Sequence, residues 1–203
     1  MIASEITITR QLNEKQKDQA AHLFYESFSL KFDHFYWLKG DADKATALLR
    51  HGMNYQKGMY VLQDGRVVGG MALLTGQGGY EHYTLAEVRQ FYGWLRALWF
   101  IFRQFFYHIF SRRHGKDSVH VAELFVAESA RGQGIGTRLL AEAEEYARTL
   151  GREFLTLDVV DTNVGALRLY QRLGFEIIRT MPTGLFTRGA GFTKVHAMKK
   201  AVD

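Results

Sequence analysis

Val119-His120-Val121-Ala122-Glu123-Leu124-Phe125-Val126 runs into Glu128-Ser129-Ala130-Arg131-Gly132-Gln133-Gly134-Ile135-Gly136, and an apolar series follows at Ile135, Leu139, Leu140, Ala143, Ala147 and Leu150 before Gly151. The β-branched and aromatic run reads as a strand, the glycines as a tight turn, and the three-and-four spacing as a helix closed by Gly151. A glycine-rich turn at a helix start leaves unpaired amides and the positive end of the helix dipole facing an anion, so a phosphate group is expected there. Two nucleotide motifs are excluded. The P-loop needs Gly-Lys-Ser/Thr, which is absent, and the dinucleotide fingerprint needs G-x-G-x-x-G, whereas this chain has Gly132-x-Gly134-x-Gly136. Glycines in an ordinary loop remain the plain alternative for this segment taken alone.

A second stretch narrows the choice: Asp158-Val159-Val160-Asp161-Thr162-Asn163, then Ala166, Leu169-Tyr170 and Gly174-Phe175. Together with Arg131-x-x-Gly134-x-Gly136 behind Leu124-Phe125-Val126, it resembles the cofactor half of the GCN5-related N-acetyltransferases. The likeness is strong over Val119 to Phe175 and looser over the N-terminal helices and the last two strands. It fails at about 83–117, where that family has a short connection. The resemblance implies acetyl-coenzyme A lying between the fourth and fifth strands, its pantetheine arm pairing with the backbone of Leu124, Phe125 and Val126 and held by Asn163. The pyrophosphate is expected on the amides of Gly132, Gln133, Gly134, Ile135, Gly136 and Thr137, with the three glycines keeping side chains off the phosphates and Arg131 adding positive charge.

Acetyl transfer needs a neutral amine. A lysine-like amine with a pKa of ~10.4 costs about 4–5 kcal/mol to deprotonate at neutral pH, so a base is required. Glu123 is the first choice, Asp158 the second and His120 the third; the alternative for either carboxylate is a strand-end acid paired with Arg or Lys. The resemblance makes Tyr170 the acid that protonates the departing thiolate, against the alternative of a helix tyrosine packed in the core. No metal is expected.

The remainder reads as β-α-α-β-β, a helical insert, then β-α-β-α-β-β. Ile6 and Ile8 mark a strand, Asn13 with Gln16 caps a helix running to about Phe32, and Asp41 or Asp43 caps a second. Asp64-Gly65 joins strands at Met59–Leu62 and Val67–Leu74 in a hairpin. The expected fold is α/β: one domain over residues 1–203, a twisted mixed sheet flanked by helices, with an aromatic helical insert at about 83–117 between strands 3 and 4. Thr84 with Glu87 caps that insert, Gly93 is a plausible break and Ser111–Gly115 its end. The spacing of Val88, Tyr92, Leu95, Trp99, Phe102, Phe106 and Ile109 predicts a buried face. Packing on the domain or a second subunit is the favoured role, a wall for the acceptor comes next, and a membrane-surface helix is ranked last. With Phe32, Phe35, Tyr36 and Trp37 the insert is also expected to shape an aromatic pocket.

Composition sets the outer bounds. Hydrophobic content of 47% and charged content of 23% are those of a folding globular chain, and the absence of cysteine excludes disulfides, thiolate metal sites and cysteine nucleophiles. A formal charge of +5 favours anionic ligands without marking a nucleic-acid binder. Neither a signal peptide nor a spanning helix is read, and a cytoplasmic enzyme is expected. The leading function is an N-acetyltransferase acting on a primary amine of a small molecule or peptide. The alternative is a catalytically silent acyl-coenzyme A binding module, and a homodimer through the insert is one arrangement considered.

Overall fold

A computed structural model describes residues 6–36, 38, 41–76, 78–110 and 115–202. Trp37 and residues 111–114, singled out above, lie outside them, as do the side chains of Phe35, Phe106 and Ile109. The chain begins with β1 (Ile6–Thr9), α1 (Glu14–Ser27) and α2 (Ala42–Gly52), then the hairpin β2 (Gly58–Gln63) and β3 (Arg66–Leu74), then the insert helix α3 (Leu85–Phe110). It continues through β4 (Ser118–Val126), α4 (Ile135–Thr149), β5 (Phe154–Val160), α5 (Val164–Arg172), β6 (Glu176–Pro182), the short α6 (Leu185–Arg188) and β7 (Lys194–Ala201). All seven strands form one sheet in the order β1-β2-β3-β4-β5-β7-β6. Among the described residues only the β4–β5 pair is parallel. The expected mixed sheet with flanking helices is what the chain forms.

Local chemistry explains the boundaries. Asn13 and Gln16 make a reciprocal capping box, Asp41 rather than Asp43 caps α2, and Asp64-Gly65 turns the hairpin with positive φ at both residues. Because side chains alternate along each strand, the sheet buries two cores. Phe24, Phe32, Leu48, Tyr60 and Phe100 fill one beneath α1, α2 and α3, and Val119, Leu139, Leu155, Tyr170 and Met198 fill the other beneath α4 and α5.

Two expectations fail here. The first helix stops at Ser27 rather than Phe32, and a π-helical turn, Lys31–Phe35, follows. That widened turn brings Phe32 to 5.4 Å from Phe24 in an edge-to-face contact. The second failure is larger. Gly93 breaks α3 with φ 75° and ψ 177°, so two helical runs are out of phase and the period counted through it is wrong. Val88, Ala97 and Phe100 are buried, whereas Leu95, Trp99 and Phe102 are exposed. The expected aromatic pocket is filled core: Phe32 and Tyr36 are buried, and Phe100 packs 4.7 Å from Tyr36 and 5.2 Å from Tyr83. Among the described residues no helix is long and apolar enough to cross a membrane.

Candidate functional site

The site begins at a fault in the sheet. β4 and β5 pair from Ser118↔Phe154 to Val121↔Leu157 and then separate, although β4 stays paired with β3 as far as Val126 and β5 with β7 as far as Val160. The cause lies at Glu123, whose φ of 53° is left-handed and whose neighbours shift register against β3 between Ala72↔Ala122 and Gly70↔Phe125. One extra residue in β4 bends the strand and re-aims its edge. On the N-terminal side of the bulge His120 and Ala122 face the first core. Beyond it Phe125 does so, and Leu124 and Val126 turn to the second. A cleft results, its walls Ala122–Val126 and Asp158–Val160. The peptide groups facing it are released from mutual pairing and need a partner such as an extended amide-bearing chain.

At the mouth of the cleft the loop enters α4. Gly132 and Gly134 have φ of 77° and 78°, and a Cβ added at either meets nothing within 4 Å, so the backbone lies open there. Their glycine character is required by the left-handed turn as well as by close approach. Gly136 differs from the expectation, because a Cβ there would come 3.2 Å from Leu169 Cδ2; it serves the contact of α4 with α5. Arg131 reaches back to the Val126 carbonyl at 3.4 Å, and Gln133 donates to the Ser129 carbonyl at 3.2 Å, so both brace the loop. Ile135 is buried, and with Gly136 and Thr137 it forms the first turn of α4, whose amides have no helical acceptor ahead of them.

Across the cleft, Asn163 caps α5 by accepting from the Ala166 amide at 3.1 Å. Tyr170 lies two turns along the same helix, buried, its ring 6.0 Å from Phe175, and burial pushes its hydroxyl up to about 12. The group is therefore a neutral proton donor throughout the physiological range.

Glu123 does not stand alone. Its Oε1 accepts from Lys31 Nζ at 2.7 Å, and that ammonium also lies 3.5 Å from Glu81 Oε1. Tyr83 donates its hydroxyl to Glu81 Oε2 at 3.2 Å. Burial raises the Glu81 carboxyl, opposed by Lys31 and reinforced by Glu123. The cluster draws on the π-helical turn, the segment after β3 and the β4 bulge, and its side chains are largely shielded from water. Reading the sequence finds Glu123 but misses Lys31 and Glu81. Neither lies in a motif, and only the polar Glu81 among the aromatics Tyr80 and Tyr83 signals the second carboxylate. Asp158 is exposed on β5, and His120, buried on β4, bonds Thr156 Oγ1 through Nδ1 at 3.1 Å. Among the described residues no cluster of His, Asp or Glu could hold a metal.

The chain is similar to known proteins in sequence and in fold. The family model described as the acetyltransferase (GNAT) family matches residues 17–175. An uncharacterized N-acetyltransferase of Methanocaldococcus jannaschii is 44% identical over 61 residues, covering 30% of this chain and 27% of that protein. A thialysine N-epsilon-acetyltransferase of Bos taurus is 27% identical over 141 residues, covering 68% of this chain and 80% of its own. The first curated relatives are matched over less than half of their own length, 27%, 23% and 44%. A solved structure of a GCN5-related N-acetyltransferase from Kribbella flavida superposes with a TM-score of 0.62 at 19% identity, over 97% of each chain, which speaks for the fold.

Proposed function

Since the chain belongs to the GNAT family of acetyltransferases, we propose that it moves an acetyl group from acetyl-coenzyme A to a primary amine of a small molecule or peptide. The observation that supports this most is the β4–β5 cleft, which joins an open, left-handed glycine turn at one end to a shielded carboxylate pair at the other. Peptide groups of Leu124 to Val126 pair with the amides of the pantetheine arm, Asn163 steadies it from the far wall, and the Gly132–Thr137 amides with Arg131 take the phosphates. A carboxylate beside the thioester carbon then accepts a proton from the acceptor ammonium, directly or through one water, and Glu123 fills that role. The neutral amine attacks the carbonyl carbon, a C–N bond forms, the C–S bond breaks, and Tyr170 gives its proton to the thiolate. An amide from the Phe125–Val126 segment stabilises the oxyanion on the way. The thialysine enzymes act on a lysine analogue, which supports an amine acceptor of that kind without naming it.

One observation favours the silent binding module. Lys31 places its own ammonium on Glu123, where an acceptor's would sit. Coenzyme A release over a panel of primary amines separates the two readings. Turnover that falls in Glu123→Gln with acetyl-coenzyme A affinity retained supports the enzyme. Tight cofactor binding with no turnover on any amine supports the module.

A further inference from the structure

The second run of α3 carries Trp94, Leu95, Leu98, Trp99, Phe102 and Phe105 exposed to solvent, with Leu95 82% and Phe105 61% accessible. At 100° per residue these six fall on one arc of about 140°, opposite Ala97 and Phe100, which face the domain. No charged residue lies within the arc. Arg103 stacks on Trp99 at 4.7 Å along one border, and Arg89, from the run before the kink, stacks on Trp94 at 4.7 Å. From Val88 to Lys116 the sequence has Arg89, Arg96, Arg103, Arg112, Arg113 and Lys116 and no Asp or Glu.

Six large apolar side chains in one patch are a binding surface or a hazard, and chemistry selects the occupant. A two-fold pairing of this face with a second copy would bring Arg89, Arg96 and Arg103 of both chains together, against a single acid in each helix, Glu87, already bonded to the Thr84 amide and to His51. A small acceptor is excluded by shape, since the ridge is convex and ligands of that size bind in concavities. A bilayer with anionic headgroups satisfies both features: the acyl boundary takes the Leu, Phe and Trp side chains while the headgroups meet the guanidinium groups. We propose that the exposed face of α3 docks the protein on an anionic lipid surface, lying in the interface without crossing it.

The test is co-sedimentation of the full chain with vesicles of phosphatidylcholine alone and of equal parts phosphatidylcholine and phosphatidylglycerol. Expected is binding to the mixed vesicles, weakened by added salt, with a blue shift of tryptophan emission. Leu98→Ser/Phe102→Ser should lower that binding by about tenfold or more with an unchanged melting temperature, since both side chains are exposed. Arg89→Gln/Arg96→Gln should cost about tenfold on mixed vesicles and little on phosphatidylcholine. Failure to bind mixed vesicles, or equal binding to both kinds, overturns the proposal. A concentration-dependent dimer seen by light scattering and abolished by Leu98→Ser/Phe102→Ser overturns it too, in favour of a second copy.

Discussion

Glu123 holds a left-handed φ that a glutamate adopts only under constraint, and the constraint is shared by the strand bulge and the Lys31 ammonium. The same residue therefore bends β4 away from β5 and presents a carboxylate beside the opening it creates. In the proposed reaction Tyr170 is the complementary group, kept protonated by burial. Tyr170→Phe keeps the ring and its contact with Phe175, so kcat should fall by about 10²- to 10⁴-fold while acetyl-coenzyme A affinity and melting temperature stay put; steady-state kinetics and titration check this. Glu81 gives a prediction with a sign. Its folded-state pKa is raised, so the native state retains a proton that the unfolded chain has lost, and stability falls as pH rises from the ordinary glutamate value of 4.5 through the raised one. Glu81→Gln should flatten that dependence, and melts in overlapping buffers would show the wild type losing ground with pH and the variant holding it. Glu123 and Tyr170 were legible because each sits in a pattern along the chain. Lys31 and Glu81 were not, because the contact spans 50 residues and depends on the π-helical turn closing toward the sheet.

At the scale of elements, α3 shows where periodicity fails. The helix was legible from its capping box, in which the Glu87 carboxylate accepts from the Thr84 amide at 2.7 Å, and its break was legible from Gly93. Its buried face was not, because a wheel drawn through a residue with φ 75° carries the phase of the first run into the second. The surface that packs is Ala97 and Phe100, the Phe100 ring tilted against Tyr36 and edge-to-face with Tyr83. Phe100→Ala should therefore destabilise the chain by about 3–5 kcal/mol, whereas Leu95→Ser, at a position the wheel assigns to the core, should stay within about 0.5 kcal/mol. Chemical denaturation of the two variants checks the order; the reverse order would restore the unbroken wheel. The strands fared better. Their positions follow the apolar runs, whereas the register shifts near Val61, Glu123 and Ile177 do not, and the one at Glu123 shows in no residue pattern since glutamate carries no preference for left-handed φ.

Across the whole molecule, the cleft divides the sheet into two halves. One holds β1 to β4 with α1, α2 and α3, the other β5 to β7 with α5, and they are joined by four parallel residue pairs at the closed end, Ser118 to Val121 against Phe154 to Leu157. The order of elements and the mixed sheet were legible from strand, turn and helix signals; the parallel β4–β5 pair and its splay were not, because both follow from tertiary register. In the proposed binding mode a ligand pairs with the backbone of Leu124 to Val126, meets Asn163 and sets its phosphates at α4, so it would bind the native state alone. At about a hundredfold over Kd, acetyl-coenzyme A should add about 2.7 kcal/mol, roughly 5–10 °C in Tm for a chain of this size. Gly134 supplies the control. Asn and Asp both tolerate its φ of 78°, and a Cβ there would meet nothing within 4 Å, so the two variants share a similar backbone cost and differ in charge. Gly134→Asn should keep part of the cofactor-induced shift, and Gly134→Asp, which sets a carboxylate among the phosphates, should lose nearly all of it. Equal shifts in both would place the phosphates elsewhere, and no shift in the wild type at millimolar cofactor would remove the cleft as the cofactor site.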